Sequence, residues 1–206
     1  MNFLAHSLLG FNDSELVAGQ FCGDFVRGSD LSHFPEGVER GIRLHRHLDR
    51  FTDTHAALAP ARAQIPDVPR RLAGIVVDVM FDHYLARRWD QVSEVTLDHH
   101  AKSVIVALNR HEEHFPLPLK RFTRLLQRED ILQNNIHLSS IELTLSRIAG
   151  RSTKFGALAL TTEQLEPLRD TLIRPFDTFF PDLHKTAIDY ISQHSKIRSS
   201  ETRTHQ

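Results

Sequence analysis

Cysteine is nearly absent from this chain of 206 residues, which contains a single one, Cys22. One cysteine cannot form an intramolecular disulfide, and it cannot supply the sulfur ligands of a cysteine-based zinc site. A chain without disulfides fits a reducing compartment. Cys22 lies in an apolar stretch, where we expect it to be a small buried side chain.

Long apolar runs and an excess of one charge are also missing. No window of roughly 18 apolar residues occurs, so no membrane span is predicted. The first residues lack the basic and apolar regions of a signal peptide, and we therefore expect a cytoplasmic protein with no membrane partner. The formal net charge is −1, so no overall basic field favours nucleic acid as a partner.

Strand signals are scarce, and helical periodicity runs through most of the chain. We predict an all-α fold, a single-domain helical bundle over residues 1–195, followed by a flexible polar tail at 196–206. Helices are predicted near residues 2–9, 12–26, 35–51, 54–63, 70–89, 97–111, 117–127, 136–149, 162–180 and 181–193. Because Pro167 and Pro175 fall inside one of these segments, we expect that helix to be broken or to begin late.

Two predicted helices carry acids and histidines at four-residue spacing. The first has His45, Asp49 and Asp53, and the second has Asp78 and Asp82. Residues four apart lie on one face of a helix, and aspartate is rarely buried unless it is paired or bound to a metal. Two such helices facing each other would make a carboxylate and imidazole metal site.

Each helix also has a simpler interpretation. The acids of the first can lie on a solvated face, with Arg46 and Arg50 as ion-pair partners. Those of the second, Asp78 and Asp82, can cap a helix or pair with arginine. We favour the metal site for the second pair because it interrupts one of the most apolar runs of the chain. Two buried acids repel strongly there unless a cation lies between them.

Three further residues are candidates with the same ambiguity. Asp24 lies among phenylalanines and is either a ligand or a satisfied core residue. His6 lies in an apolar segment, and alone it is more typical of a core histidine. His83 points about 100° away from its neighbour Asp82, and it can be a ligand, a proton-transfer group or an outer partner of the ligands.

Imidazole and carboxylate donors without thiolate suit Mn²⁺, Mg²⁺, Fe²⁺ or Zn²⁺. Nearby arginines, Arg27 and Arg46 among them, can hold phosphate oxygens, or they can be ordinary surface ion pairs. The chain lacks the glycine-rich and nucleophile motifs GxGxxG, P-loop, HExxH and GxSxG. The sequence therefore indicates a metal-dependent hydrolase.

Four segments in register carry a resemblance to a known family. MNFLAH at the start, GDFVRG at 23–28, LHRHLDRFTD at 44–53 and DVMFDHYLARRW at 78–89 resemble the acyl carrier protein phosphodiesterase family. The resemblance implies an all-α fold like that of HD-domain metal-dependent phosphohydrolases, although this chain has DH at 82–83. It implies hydrolysis of the phosphodiester that joins 4′-phosphopantetheine to a serine of holo-acyl carrier protein. Mn²⁺ would be the favoured cofactor, with Mg²⁺ or another divalent metal as a weaker substitute.

The resemblance also implies the site residues. The metal-ligand candidates are His6, Asp24, His45, Asp49, Asp78 and Asp82. Arg27 and Arg46 would bind the phosphodiester, Asp24 would ligate the metal or orient the attacking water, and His83 or His47 would protonate the leaving serine oxygen.

The partner that the resemblance implies, holo-acyl carrier protein, is small and acidic, so a basic surface is expected beside the site. The candidate pairs are Arg70–Arg71, Arg87–Arg88 and Lys120–Arg121, and each can also be an ordinary charged helix surface. Two other functions stay open: hydrolysis of a nucleotide or other small phosphodiester, and a non-catalytic module that binds acyl carrier protein. The sequence does not indicate an oligomeric state.

Overall fold

Helices form the regular structure of this protein, which confirms the all-α prediction. The computed structural model describes the backbone of residues 2–201 and the side chains of residues 2–194, and that part contains no strand. The α-helices are α1 Phe3–Leu8, α2 Ser14–Cys22, α3 Glu36–Thr54, α4 Leu58–Ala63, α5 Arg70–Arg87, α6 Leu97–Arg110, α7 Leu117–Arg128, α8 Ile131–Asn134, α9 Leu138–Ala149 and α10 Thr162–Glu201. Short 3₁₀ helices lie at Trp89–Gln91, Glu112–His114 and Thr153–Leu158.

The helix starts follow local capping chemistry. The Asp13 carboxylate accepts hydrogen bonds from the backbone of Glu15 and Leu16 and so caps α2. Helix α3 begins directly after Pro35, with Glu36 in its first turn, where an acid complements the positive end of the helix dipole. The predicted start at residue 35 agrees with this boundary, whereas α2 ends at Cys22 and not near residue 26.

Helix α10 is continuous, although the sequence predicted two separate helices here. It contains Pro167, Pro175 and Pro181, and a proline inside a helix removes one hydrogen bond and crowds the preceding turn. All three prolines are exposed or half-buried, so the carbonyl groups that lose a partner can be hydrated. Burial of an apolar face offsets the cost. The buried side chains of that face include Leu165, Leu168, Leu172, Phe176, Phe179 and Leu183.

The predicted boundary at residue 195 falls inside α10, because the helix continues to Glu201. Residues 202–206 of the predicted tail lie outside the described residues.

Helix α5 runs through the core and packs against α10. The Phe81 ring lies 5.4 Å from the Phe176 ring and 5.7 Å from the Phe179 ring. The Tyr84 hydroxyl donates to the carbonyl oxygens of Leu168 and Arg169. These contacts join the second half of the chain to the first through one apolar core.

Helices α2 and α3 approach each other closely at two glycines. A Cβ atom on Gly19 would lie 2.2 Å from the Val38 carbonyl oxygen, and one on Gly41 would lie 2.5 Å from the Leu16 carbonyl oxygen. Only glycine permits such contact between two backbones. The close approach brings the turn that follows α2 against the side chains of α3.

Among the described residues, none of the helices combines the length and the apolarity that crossing a membrane needs.

Candidate metal centre

Helices α1 and α3 bring together three of the predicted ligands. The ligand atoms of His6, His45 and Asp49 all lie within 4.8 Å of one another. The Nε2 atom of His6 is 3.4 Å from one Asp49 oxygen, and the Nε2 atom of His45 is 3.1 Å from the other. The two imidazole rings are stacked, with centroids 4.1 Å apart. One carboxylate therefore faces two imidazoles that come from different helices.

Asp24 adds a fourth side chain from the turn after α2. Its carboxylate lies 3.5 Å from the Nε2 atom of His45. The side chains of His6 and His45 are 5% and 3% exposed, whereas those of Asp49 and Asp24 are 46% and 52% exposed. The imidazoles thus form the floor of the group and the carboxylates its solvent edge, where a substrate or water can approach.

Gln20 of α2 fixes the orientation of the His6 ring, a role that the sequence analysis missed. Its side-chain oxygen lies 2.9 Å from the Nδ1 atom of His6. With the proton on Nδ1, the Nε2 atom presents its lone pair to the Asp49 carboxylate. A lone pair facing a carboxylate is unfavourable unless a cation lies between them, and metal-bound histidines usually donate their other ring nitrogen in this way. The available signal was an amide within the otherwise apolar stretch LVAGQFC.

The histidines and carboxylates of the group shift one another's pKa values. Burial and the neighbouring His45 lower the pKa of His6, although Asp49 opposes them. Burial alone would lower the pKa of His45, but its hydrogen bonds with Asp24 and Asp49 outweigh burial and raise it to about 9. The same imidazoles hold the pKa of Asp49 well below its usual range despite desolvation. The two carboxylates are therefore held ionised beside a protonated His45, which must release its proton before its Nε2 atom can bind a metal.

Close packing keeps the His45 ring in position. A Cβ atom on Gly23 would lie 2.2 Å from two carbon atoms of that ring, so any larger residue would displace the imidazole or the turn. The signal in the sequence was only the position of this glycine directly before Asp24.

Arg46 stabilises the turn that carries Asp24. Its guanidinium donates to the carbonyl oxygens of Gly28 at 2.7 Å and Val26 at 2.9 Å. The sequence predicted that Arg46 binds phosphate, and the structure instead places its two terminal nitrogens on the backbone. Arg27 is exposed and has no ion-pair partner among the residues described, so it is the cation of this turn that is free to bind an anion.

The acids of α5 do not join the group. Asp82 is fully buried, and its carboxylate accepts hydrogen bonds from the backbone of Leu4 at 2.7 Å and Ala5 at 3.2 Å. It therefore caps the amino end of α1, the simpler of the two interpretations, and its predicted role as a ligand is not supported. Burial raises the pKa of Asp82 to about 7, against these hydrogen bonds. Asp78 is half-buried and lies outside the group of mutually close ligand atoms.

The remaining candidates on α3 and α5 lie elsewhere. The Nδ1 atom of His83 lies 2.7 Å from the Asn135 carbonyl oxygen, and its buried Nε2 has no hydrogen-bond partner among the described residues. The His47 ring lies 4.8 Å from the Tyr190 ring, on the face of α3 away from His45. Asp53 pairs with Arg62 at 3.5 Å. The structure therefore does not place either predicted proton donor, His83 or His47, in the group.

Comparison with known proteins gives consistent matches along the chain. A family model described as acyl carrier protein phosphodiesterase matches residues 1–183. A relative of that name from Yersinia pestis is 36% identical over 202 residues, covering 96% of this chain and 100% of the relative. A second, from Yersinia enterocolitica, is 33% identical over 196 residues, covering 92% and 98%. A third, from Photorhabdus laumondii, is 31% identical over 191 residues, covering 91% and 95%.

No solved structure gives a significant match, so the likeness to HD-domain phosphohydrolases stays a prediction. The family model covers most of the chain, and the relatives match along nearly their whole length. The chain therefore belongs to the acyl carrier protein phosphodiesterase family, a family of enzymes.

Proposed function

We propose that this protein hydrolyses the phosphodiester of holo-acyl carrier protein and releases 4′-phosphopantetheine and apo-acyl carrier protein. The observation that carries the proposal is the group of His6, His45, Asp49 and Asp24, whose carboxylates lie at the solvent edge. The names of the relatives supply the substrate class. We place the reaction in the cytoplasm, in the turnover of the prosthetic group used by fatty-acid biosynthesis.

The donor set of the group fits a divalent metal. Two imidazole nitrogens and two carboxylates without thiolate suit Mn²⁺, our first choice, and also Mg²⁺ or another divalent ion. The Nε2 atom of His6 lies 3.4 Å from Asp49, and in the tautomer with the proton on Nδ1 its lone pair is available to a cation between the two. Such a metal would lower the pKa of a bound water and offset the negative charge of a phosphoryl group.

The remaining roles belong to the turn at residues 23–28. Asp24 is half-exposed beside His45, and we assign it either a metal bond or a hydrogen bond that orients the attacking water. Arg27 is exposed, and we assign its guanidinium to the phosphodiester oxygens, which it can bind with two parallel hydrogen bonds. Arg46 positions both residues through the backbone.

A basic surface beside the group fits an acidic protein substrate. The Phe122 ring of α7 lies 5.9 Å from the Phe25 ring, so α7 borders the turn that carries Asp24. Lys120 and Arg121, on the same helix, have no ion-pair partner among the described residues. By contrast, Arg88 pairs with Asp177. Of the three predicted basic pairs, Lys120–Arg121 is our choice for docking, because its helix borders the turn that carries Asp24.

Release of 4′-phosphopantetheine from holo-acyl carrier protein tests the proposal. Purified protein is stripped of metal and assayed before and after addition of Mn²⁺, beside Asp49→Asn and its matched control Asp53→Asn. The two aspartates lie one turn apart on α3, but Asp53 is exposed and pairs with Arg62. We expect metal-dependent release that falls more than about 100-fold in Asp49→Asn, since even outer partners of a metal site contribute about 10–100-fold. Asp53→Asn should behave as the wild type.

Two results would contradict the proposal. Release without metal, or equal release by both variants, would exclude this group as the reaction centre. No release from a folded, Mn²⁺-loaded protein would exclude the substrate, and a panel of nucleotides and small phosphodiesters would then identify the class of ester.

A further inference from the structure

A pocket of about 280 Å³ opens at the amino end of α1, and no step above uses it. We propose that this pocket, which we name the arm pocket, binds the uncharged, amide-bearing arm of the substrate beyond its phosphate. The residues that line the arm pocket include Phe3, Phe122, Ile131, Asn135, Thr144 and Arg151. This inference rests on the proposed function, because it assigns the part of 4′-phosphopantetheine that the metal group leaves unbound.

The arm pocket lies within one helical turn of the metal group. Its wall includes Asn2 and Phe3, and His6 follows them by one turn of α1. The His6 backbone N–H donates to the Asn2 carbonyl oxygen at 3.2 Å, so Asn2 lies one turn before His6 and connects the pocket to the metal group. A substrate with its phosphate at His6 can therefore extend along α1 into the arm pocket.

Aromatic rings connect the other side of the pocket to the group. The Phe122 ring lies 4.4 Å from the Phe3 ring and 5.9 Å from the Phe25 ring, and Phe25 directly follows Asp24. Apolar side chains that remain half-buried, Phe3 and Phe122 among them, form most of this wall. Such a wall favours the methylene and methyl groups of a flexible chain.

The polar groups of the arm pocket match amides and not a second anion. Asn135 is 4% exposed, and it lines the pocket. Its side-chain amide can both donate to and accept from an amide of the ligand. The Thr144 hydroxyl adds one donor and acceptor. Asp82 is occupied by the backbone of α1, so it offers no cation site.

The two arginines of the pocket differ in their pairing. Arg147 forms an ion pair with Glu129, and Arg151 has no ion-pair partner among the described residues and lies exposed at the rim. The interior therefore carries little free positive charge. A volume of 280 Å³ lies near the lower limit of ligand pockets, about 300–1,000 Å³, and fits a single flexible chain.

Binding of pantetheine, which lacks the phosphate, tests the arm pocket directly. Saturation-transfer NMR of the full chain is recorded for wild type, Thr144→Trp, Asn135→Leu and the matched control Ser146→Trp. Ser146 is exposed on the same helix, α9, and does not line the pocket. We expect transfer to the pantetheine methyl protons in wild type and Ser146→Trp, and at least a fivefold loss in Thr144→Trp and Asn135→Leu. If Thr144→Trp fails to fold, Asn135→Leu decides, because it removes the amide and keeps the branched shape of the side chain.

No transfer in the wild type, or equal transfer in all folded variants, would overturn the arm pocket. The holo-acyl carrier protein assay separates this result from the proposed function. If 4′-phosphopantetheine is released but saturation transfer to pantetheine is the same in all variants, only the arm pocket is rejected. Transfer that depends on Asn135, without any release, rejects the proposed reaction and keeps the pocket as a site for amide-bearing chains.

Discussion

Helices α3 and α5 each carry two ligand-type side chains four residues apart, His45 and Asp49 on one, Asp78 and Asp82 on the other. On α3 the pair meets His6 and opens to solvent through Asp49. On α5, Asp82 meets the backbone N–H groups at the start of α1 and is fully buried. The same spacing thus contributes to the proposed cation site in one helix and to a structural cap in the other, and the facing element decides which.

Substitution of the α3 pair should have the largest effect. We expect His45→Gln to lower Mn²⁺ affinity and activity by more than about 100-fold, because it removes the imidazole nitrogen that lies next to both carboxylates and would bind the metal. Asp78→Asn should have a much smaller effect, since Asp78 lies outside the group. Mn²⁺ titration followed by electron paramagnetic resonance measures both. Equal losses in the two variants would contradict the distinction between the helices.

The outer partner of His6 should have the next largest effect. Gln20→Leu removes the side-chain oxygen that lies 2.9 Å from the Nδ1 atom of His6, so we expect Mn²⁺ affinity to fall about 10–100-fold. Gln20→Glu keeps an acceptor oxygen and should retain more of the affinity. If the two variants bind Mn²⁺ equally, Gln20 contributes only to packing.

The order of the two helices should be reversed for stability: substitution in α5 should lower the free energy of unfolding more than substitution in α3. Asp82→Ala leaves two buried backbone donors at the start of α1 without their acceptor, and each such loss costs about 1–3 kcal/mol. Replacement of the half-exposed Asp49 by alanine should lower the free energy of unfolding less. Urea denaturation of both variants, each compared with the wild type, gives the order.

The pH dependence of stability gives a smaller effect that also depends on the burial of Asp82. Burial raises the pKa of Asp82 to about 7, so the folded state holds its proton more tightly than the unfolded chain, where the pKa is about 3.9. The stabilising contribution is therefore complete below about pH 4 and is lost as the pH rises to about 7. We expect the free energy of unfolding to fall over this window in wild type relative to Asp82→Asn. Parallel urea titrations of the two proteins check this, and identical pH dependence would contradict the shift.

Local features of the chain were predictable from the sequence. Helical periodicity indicated the all-α fold, and Pro35 with Glu36 marked the start of α3. The spacing of His45 and Asp49 placed them on one helix face, and the structure shows them together with His6. Each of these inferences depends on a few neighbouring residues, for which spacing and capping rules suffice.

Long-range contacts were not predictable in the same way. Asp82 caps α1 across 78 residues of chain, and Arg46 binds the carbonyl groups of Val26 and Gly28, which only the close packing of α2 on α3 brings within reach. The continuity of α10 depends on the exposure of its prolines, which packing determines. Sequence spacing identifies a polar helix face, but it does not identify the group opposite.

Anomalous X-ray scattering from crystals soaked in Mn²⁺ tests the central claim most directly. We predict a single strong peak about 2.0–2.3 Å from the His6 and His45 Nε2 atoms and the Asp49 carboxylate, with Asp24 beside it. A peak at Asp78 or Asp82, or no peak in crystals of active protein, would contradict the assignment of the metal to α1 and α3.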